Sequence, residues 1–291
     1  MSAINIYQIY YNEQTREQLD PSFIPLDNTR NERPEWYEFW VIKNFLEHNE
    51  LADDAFYGFV SPRFYEKTGV VGEQLKQLIS PHLASTDVFL VSTGAWSQLA
   101  YFKNPFEQGD YWHQGLLALS QEVLDRLNIR IDLREMISTS HDFTFCNYIV
   151  ARKSYWQAWK QLADAFFELV EHDTTALGER LRGHTLYRHG DAAIRTFIQE
   201  RLPAVLLQRH AFRTSAVESV EHFAIEANVF SFQTTFERAI LQTCHYLKVL
   251  YQQDENPQHL ESFLHVRSLL QLRRPLPAQP STGCSGVDNN N

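Results

Sequence analysis

The chain has 291 residues, of which 44% are apolar, and a formal net charge of −10. A chain of this length buries a full core, so we expect one large domain with appended helices. The acidic charge, and the lack of any basic run longer than two residues, argue against binding to nucleic acid, which needs a concentrated basic face.

The first part of the chain alternates short apolar runs with longer amphipathic ones, which we interpret as strands and helices. The predicted strands are INIYQIYY, AFYGFVS, DVFLVST and FCNYIVAR. The predicted helices are PEWYEFWVIKNFLEHN, GEQLKQLISPHL, YWHQGLLALSQEVLDRL and SYWQAWKQLADAFFELVEH. Strands separated by helices of this length predict an α/β fold with a mostly parallel sheet.

Beyond residue 190 the pattern becomes mainly helical. Helices are predicted in DAAIRTFIQERLPAVLLQRH, TTFERAILQTCHYLKVLYQQ and NPQHLESFLHVRSLLQL. The final stretch, RRPLPAQPSTGCSGVDNNN, is too rich in Pro, Gly, Ser and Asn to bury much apolar area. We therefore predict an α/β domain over residues 1–190, a helical extension packed on it over 191–272, and a disordered tail over 273–291.

Cysteine usage and hydropathy predict the compartment. The three cysteines, Cys146, Cys244 and Cys284, show no C-x-x-C spacing, which favours a reducing environment. The run MSAINIYQIYYN has no basic segment followed by a long apolar one, and no window approaches the roughly 18 to 20 apolar residues of a membrane span. We expect a cytoplasmic protein without a membrane span.

Polar clusters follow three of the predicted strands. NEQT follows the first strand, SPRFYEKTG the second and STGAWSQ the third. In an open α/β sheet the ligand binds beyond the carboxyl ends of the strands. The second cluster would place four polar side chains at this mouth: Ser61, Arg63, Lys67 and Thr68. The alternative is an ordinary polar turn marked by Pro62 and Gly69.

The helix that begins at Pro34 carries an aromatic face. The residues that share it are Trp36, Phe39, Trp40 and Phe45. Such a face packs in the core or forms a platform for sugar rings or bases, and the core is the interpretation we favour. Tyr37 and Glu38 are then expected at the surface.

One pair of residues suits acid–base chemistry. His141 and Asp142 precede the strand FCNYIVAR, where either could act as a general base at a loop; the alternative is a solvated loop pair. The chain has no H-E-x-x-H, G-x-x-x-x-G-K-[ST], G-x-G-x-x-G or G-x-S-x-G pattern, which argues against zinc proteases, P-loop NTPases, conventional dinucleotide enzymes and α/β-hydrolases.

Several of these runs together resemble a known family. The runs are YQIYYNEQT, FIPLDNTRNERPEWYEFWVIKNFL, FYGFVSPRFYEKTG, DVFLVST, FCNYIVARKSYWQAW and IQERLPAVLL. They are similar, in order, to pieces of uncharacterised bacterial proteins linked to the GT-A-fold glycosyltransferases of cell-surface polysaccharide synthesis. The resemblance spans roughly residues 4 to 210, and it rests on the order of these runs and on their local sequences.

The resemblance implies a nucleotide-sugar donor, a carbohydrate acceptor and a set of binding residues. It places four residues of the first strand and its loop beside the nucleotide base: Tyr7, Gln8, Tyr10 and Tyr11. The run that would face the donor diphosphate comprises Ser61, Pro62, Arg63, Lys67 and Thr68. The residues implied on the sugar side are Asn147, Glu200 and Arg201.

The chain departs from this family in lacking an Asp-x-Asp, with which many GT-A enzymes hold Mn²⁺ or Mg²⁺. Sugar transfer must neutralise charge on the leaving diphosphate, through a divalent cation or fixed donors. Either Arg63 and Lys67 replace the metal, or carboxylates distant in sequence hold it. The identity of the cofactor therefore stays open at the level of sequence.

Two functions follow as hypotheses. The first is a glycosyltransferase in which Asp142 or His141 accepts the proton of the acceptor hydroxyl. The second is a non-catalytic relative that binds a glycan or an enzyme subunit, with its C-terminal helices forming a homo- or hetero-oligomer face.

Overall fold

The structure, a computed structural model, describes residues 3–91, 96–187, 190–216 and 234–270. The predicted tail over 273–291 lies outside the described residues, as do residues 92–95 of the STGAWSQ cluster. None of the helices in these ranges is both long enough and apolar enough to span a membrane.

Six of the strands form one mixed sheet. The strands of the described ranges are β1 (Ile4–Tyr10), β2 (Ile24–Asp27), β3 (Phe56–Val60), β4 (Val88–Leu90), β5 (Ile149–Arg152), β6 (His184–Tyr187), β7 (Gly190–Ala193) and β8 (Thr214–Ala216). The order is β2-β1-β3-β5-β4-β8, and β6 and β7 pair separately. Only β5 runs antiparallel to its neighbours in the sheet. The prediction of an α/β fold with a mostly parallel sheet is confirmed.

The central strand β3 is buried on both faces, as expected of a strand covered by helices. All five of its residues are buried. Position 58 requires a glycine, because a Cβ there would lie 2.8 Å from Cγ2 of Val150 on β5. The apolar run FYGFV therefore encodes a strand enclosed by sheet neighbours and by helices.

Helices cover both faces of the sheet. Those of the described ranges are α1 (Glu13–Glu17), α2 (Tyr37–His48), α3 (Phe64–Thr68), α4 (Gly72–Ile79), α5 (Trp96–Tyr101), α6 (Pro105–Trp112), α7 (Leu116–Arg126), α8 (Lys153–His172), α9 (Ala176–Arg182), α10 (Ile194–Gln199), α11 (Leu202–Arg209), α12 (Thr235–Asp254) and α13 (Pro257–Arg267). Helices α2, α7, α8, α10 and α11 share one apolar core, while α3 and α4 cover the other face.

The aromatic face of α2 lies in the core, as favoured from the sequence. Trp36 and Phe39 are each 1% exposed, and their rings stack with centroids 4.9 Å apart. Tyr37 is 47% exposed, so the adjacent position points away from the core.

One of the helices predicted from the sequence is divided between two helices in the structure. The run YWHQGLLALSQEVLDRL contains the end of α6 and all of α7, because the chain turns between Trp112 and Leu116. Gly115 has a φ of 92° in this turn, a conformation that residues with a Cβ rarely adopt. Gly115 thus allows the chain to change direction between α6 and α7.

The C-terminal part is helical and begins with α12. Residues 191–216, which we assigned to the helical extension, pack into the main core through α10 and α11 and add β8 beside β4. Helices α12 and α13 instead form a smaller core with α5. The fully buried Lys248 of α12 joins that pair to the body, since its ammonium donates to the carbonyls of Leu99 and Phe102.

Candidate functional site

The carboxyl ends of β1 and β3 meet the amino end of β5 at one edge of the sheet. Because β5 is antiparallel, Ile149 at its start pairs with Leu90 at the end of β4. The residues that follow β1 and β3 and precede β5 therefore converge. At this edge lies a group of polar side chains that we call the strand-edge cluster: Tyr11, Glu38, Lys67, Tyr148 and Glu200.

Tyr148 forms the buried floor of the cluster. Its side chain is 5% exposed, and its hydroxyl lies 2.5 Å from Oγ of Ser61. The ring also packs edge-on against Phe64 of α3, with centroids 5.1 Å apart. Burial raises the pKa of Tyr148 to about 12, although the charge of Lys67 opposes the shift. The phenol is neutral at physiological pH and offers a fixed hydroxyl.

Lys67 is the cation of the cluster. It lies in the last turn of α3, half-buried, with Nζ 5.5 Å from the centroid of the Tyr148 ring. Burial alone would lower the pKa of Lys67, but Tyr148, Glu38 and Glu200 outweigh it and raise the pKa above its ordinary value. The ammonium therefore stays protonated throughout the physiological range.

Glu200 is the titratable carboxyl of the cluster. It directly follows α10 and is half-buried. Burial raises the pKa of Glu200 to about 7, against the opposing charges of Arg201 and Lys67. A carboxyl with this pKa exchanges a proton near neutral pH, which is the property of a general acid or base.

Glu38 faces the same space from the first turn of α2. Burial is the largest influence on the pKa values of Tyr11, Lys67, Tyr148 and Glu200, and in all four the charge of Glu38 adds an upward shift. One carboxylate thus acts on four groups, which follow β1, lie on α3, precede β5 and follow α10.

Two sugar-side residues of the sequence prediction adjoin Glu200 but differ in role. The amide of Asn147 donates to Oε1 of Gln199 at 3.2 Å, and its own Oδ1 is buried without a donor in the described residues. Asn147 therefore retains an unused acceptor. Arg201 instead anchors α11 on α6.

The guanidinium of Arg201 is occupied by protein groups. It donates to the carbonyls of Pro105 and Phe197 at 2.7 and 2.6 Å and to Oε1 of Gln108 at 2.5 Å. Burial lowers its pKa to about 10, so it remains cationic. A Cβ at Gly109 would approach Nε of Arg201 to 2.6 Å, so glycine makes room for this contact.

The structure places other predicted binding residues away from the cluster. Tyr7 packs against Phe45 and Phe59, with ring centroids 4.7 and 5.6 Å away. Gln8 is 3% exposed and accepts a hydrogen bond from the amide of Asp20 at 2.7 Å. Of the four residues assigned to the base site, only Tyr11 joins the cluster.

Tyr10, Thr68 and Arg63 have local roles. Tyr10 hydrogen bonds Asp27, and Thr68 caps its own helix by donating to the carbonyl of Phe64 at 2.8 Å. Arg63 is exposed and pairs with Glu66 at 2.7 Å.

His141 and Asp142 lie elsewhere, beside the start of β8. Asp142 is 6% exposed and accepts hydrogen bonds from the amide of Thr139 at 2.6 Å and from the side chains of Gln208 and Gln252. His141 is exposed, with Nδ1 3.2 Å from Oγ1 of Thr214. Both residues line an open groove next to α12. Burial raises the pKa of Asp142 to about 6.

The sequence prediction missed Glu38 and Tyr148. Glu38 was expected only at the surface, and its place in the first turn of a helix that follows an edge strand was the available signal. Tyr148 lies inside the run FCNYIVAR, and its position at this edge of the sheet depends on the antiparallel direction of β5, which local sequence does not encode.

Comparisons of the chain with protein-family models, curated proteins and solved structures found no match. Within the described ranges, no three His, Cys, Asp or Glu side chains are grouped to hold a metal ion.

Proposed function

We propose that the protein is a glycosyltransferase that moves a sugar from a nucleotide-activated donor to a carbohydrate acceptor in surface-glycan synthesis. The observation that carries the proposal is that Lys67 and Glu200 act on each other through their charges, at the edge where an open α/β sheet binds ligands. The charge of Glu200 raises the pKa of Lys67, and the charge of Lys67 lowers the pKa of Glu200. A fixed cation and a titratable carboxyl are the two groups that transfer to a hydroxyl requires.

Lys67 would neutralise the leaving diphosphate. As the bond between the sugar and the diphosphate breaks, negative charge grows on the phosphate oxygen, and a fixed ammonium stabilises it. The other two cations proposed from sequence are engaged elsewhere: Arg63 with Glu66, and Arg201 with carbonyls and Gln108. The proposal therefore assigns this role to Lys67.

Glu200 would serve as the general base in place of Asp142 or His141. The acceptor hydroxyl forms a new bond to the sugar while its proton passes to the Glu200 carboxylate. A pKa of about 7 matches this task, because efficient proton transfer needs a base that titrates near the working pH. Asp142 is held by three donors in a separate network.

One observation favours the second hypothesis, a non-catalytic glycan-binding protein. The cluster holds two carboxylates, Glu38 and Glu200, for one ammonium, and it adds the half-buried Tyr11. Carboxylates accept hydrogen bonds from sugar hydroxyls, and an aromatic ring packs against a sugar face. Such a set binds a neutral sugar without needing a diphosphate.

Nucleotide binding separates the two functions. The full chain is screened by thermal shift and calorimetry against nucleoside diphosphates and their sugars, with and without Mn²⁺. A ligand at about 100 times its Kd adds roughly 2.7 kcal/mol, which moves the unfolding midpoint of a chain of this size by several degrees.

A matched pair of variants locates the binding. Lys67→Ala should abolish nucleoside-diphosphate binding, whereas Lys153→Ala, at the opposite edge of the sheet in a surface pair with Asp53, should leave it intact. If the parent binds neutral glycans and no nucleotide, the non-catalytic function is the correct one. Equal nucleotide affinity of parent and Lys67→Ala would remove Lys67 from the proposal.

A further inference from the structure

Arg195 is a buried cation that has no hydrogen-bond partner among the residues that the structure describes. Its side chain, in the first turn of α10, is 8% exposed, and no described residue accepts a hydrogen bond from its guanidinium; Nε in particular is fully enclosed. The guanidinium lies over the ring of Trp36, whose centroid is 5.1 Å from Cζ. The other buried arginine of this region, Arg201, has three acceptors.

The carboxylates near Arg195 are already occupied. Arg33 pairs with Glu35 and with Glu171 at 2.7 Å each, and the second oxygen of Glu171 accepts a hydrogen bond from Nε1 of Trp36 at 3.0 Å. These two glutamates act on Arg195 only through their charge.

A further arginine of this group is also occupied. The guanidinium of Arg182 donates hydrogen bonds to the carbonyls of Val170 and Asp173, at 2.6 and 3.0 Å. Three arginines, Arg33, Arg182 and Arg195, thus influence this region together with two glutamates. One positive charge is in excess, and it belongs to the arginine whose donors are unused.

An arrangement of this kind is costly unless something else completes it. A buried charge loses its hydration and needs acceptors in return. Burial lowers the pKa of Arg195, and the charges of Glu171 and Glu35 oppose this shift, but neither carboxylate accepts a hydrogen bond from the guanidinium, whose enclosed Nε has no partner. Unsatisfied buried groups in native proteins commonly mark the place of an ion or ligand.

We infer that Arg195 is the anchor of a binding site for a carboxylate group. A single excess positive charge matches a single negative one, and the planar fork of a guanidinium pairs with a carboxylate through two parallel hydrogen bonds. Trp36 lies against the guanidinium on one side, and Nε is the only one of its nitrogens that is both enclosed and without a partner, so the two terminal nitrogens are open to a ligand.

The proposed function indicates which carboxylate-bearing ligand would bind. Its acceptor is a carbohydrate, so a carboxylate held by Arg195 would belong to a sugar acid. This step rests on the proposed function, because it makes the acceptor an acidic sugar.

The test uses glucuronate, with glucose and inorganic phosphate as comparison ligands, on the full chain. Calorimetry should detect binding of glucuronate and not of glucose. Arg195→Lys keeps the charge but loses the planar fork, so it should weaken glucuronate binding at least about tenfold. Arg213→Gln, whose guanidinium pairs with Asp87 at the opposite edge of the sheet, should bind glucuronate like the parent.

Several outcomes would overturn the inference. These are equal affinity of parent and Arg195→Lys, no glucuronate binding by the parent, or tighter binding of phosphate than of glucuronate. Arg195→Met supplies a stability readout: removal of an uncompensated charge should leave the unfolding midpoint unchanged or raise it, whereas a fall of several degrees would show that Arg195 is structural. Lys67→Ala should still bind glucuronate, so failure of the nucleotide experiment and failure of this one are distinguishable.

Discussion

The ammonium of Lys67 lies 5.5 Å from the centroid of the Tyr148 ring, whose hydroxyl is in turn 2.5 Å from Oγ of Ser61. The segment that follows β3, which contains Ser61 and Lys67, is thereby joined at one edge of the sheet to Tyr148, which precedes β5. The aromatic face positions the cation, and the serine positions the aromatic ring. The arrangement of the strand-edge cluster therefore depends on a buried hydroxyl pair.

This pair makes a prediction for Tyr148→Phe. The substitution leaves the buried hydroxyl of Ser61 without its partner, which should lower the free energy of unfolding by about 1 to 2 kcal/mol. Ser61→Ala should cost a similar amount, and the double variant should cost less than the sum of the two. Urea unfolding of the four proteins measures the coupling. Additive losses would show that the two hydroxyls do not stabilise each other.

The elements that local periodicity encodes were predictable, and those that depend on strand direction were not. Strands β1 and β3 and helix α8 follow from apolar runs and helical spacing. The edge strand β2, with Pro25 inside it, carries too little apolar pattern to be recognised. The reversed direction of β5 is set by pairing with β3 and β4, and the sequence of the strand itself does not reveal it.

The candidate site shows the same division. The polar end of the second predicted strand drew attention to Lys67, and the family resemblance drew attention to Tyr11 and Glu200, which belong to the same cluster in the structure. The adjacency of His141 and Asp142 suggested a base, but Asp142 lies among donors from the loop at Thr139 and from α11 and α12. Two neighbouring residues in sequence can serve a buried network as readily as a site, and only the tertiary contacts distinguish these outcomes.

Asp142→Asn tests that distinction. The amide group of Asn would turn a donor toward the backbone amide or toward Gln208, so a buried acceptor would be lost. We expect the free energy of unfolding to fall by about 2 to 4 kcal/mol. Any transferase activity per folded molecule should be retained. Loss of activity with unchanged stability would instead make Asp142 the base.

The aromatic core of α2 predicts a large effect of Phe39→Ala. Phe39 is 1% exposed and contacts the rings of Trp36 and Trp159, with centroids 4.9 and 5.5 Å away. Deleting a ring of this kind costs about 3 to 5 kcal/mol. Tyr37→Ala, at an exposed neighbouring position, should cost under about 0.5 kcal/mol. Chemical denaturation of both variants is the measurement, and similar losses would contradict the assignment of the two faces.

Substitution of two glycines by alanine should destabilise the fold for two different reasons. Gly58→Ala would place a Cβ 2.8 Å from Cγ2 of Val150 and 3.2 Å from the carbonyl oxygen of Ile149, so the sheet must shift, at about 1 to 3 kcal/mol. Gly115→Ala meets no atom within 4 Å but retains a φ of 92°, and the strain should cost about 1 to 2 kcal/mol. A crystal structure should show displaced strands only in the first variant.

Glu200 predicts a specific dependence of stability on pH. Its pKa is raised from 4.5 to about 7 on folding, so the folded state holds the proton more tightly than the unfolded chain. The resulting stabilisation is complete below about pH 4.5 and is lost as the pH rises through 7. Glu200→Gln resembles the protonated form at every pH and should be more stable than the parent at pH 8, by about 1 to 3 kcal/mol, with a smaller advantage at pH 5.

The exposed Glu73→Gln is the control and should show no such trend. Urea unfolding of the three proteins at both pH values checks the sign, and a parent whose deficit relative to Glu200→Gln does not grow with pH would show that Glu200 titrates normally and is unsuited to act as the base.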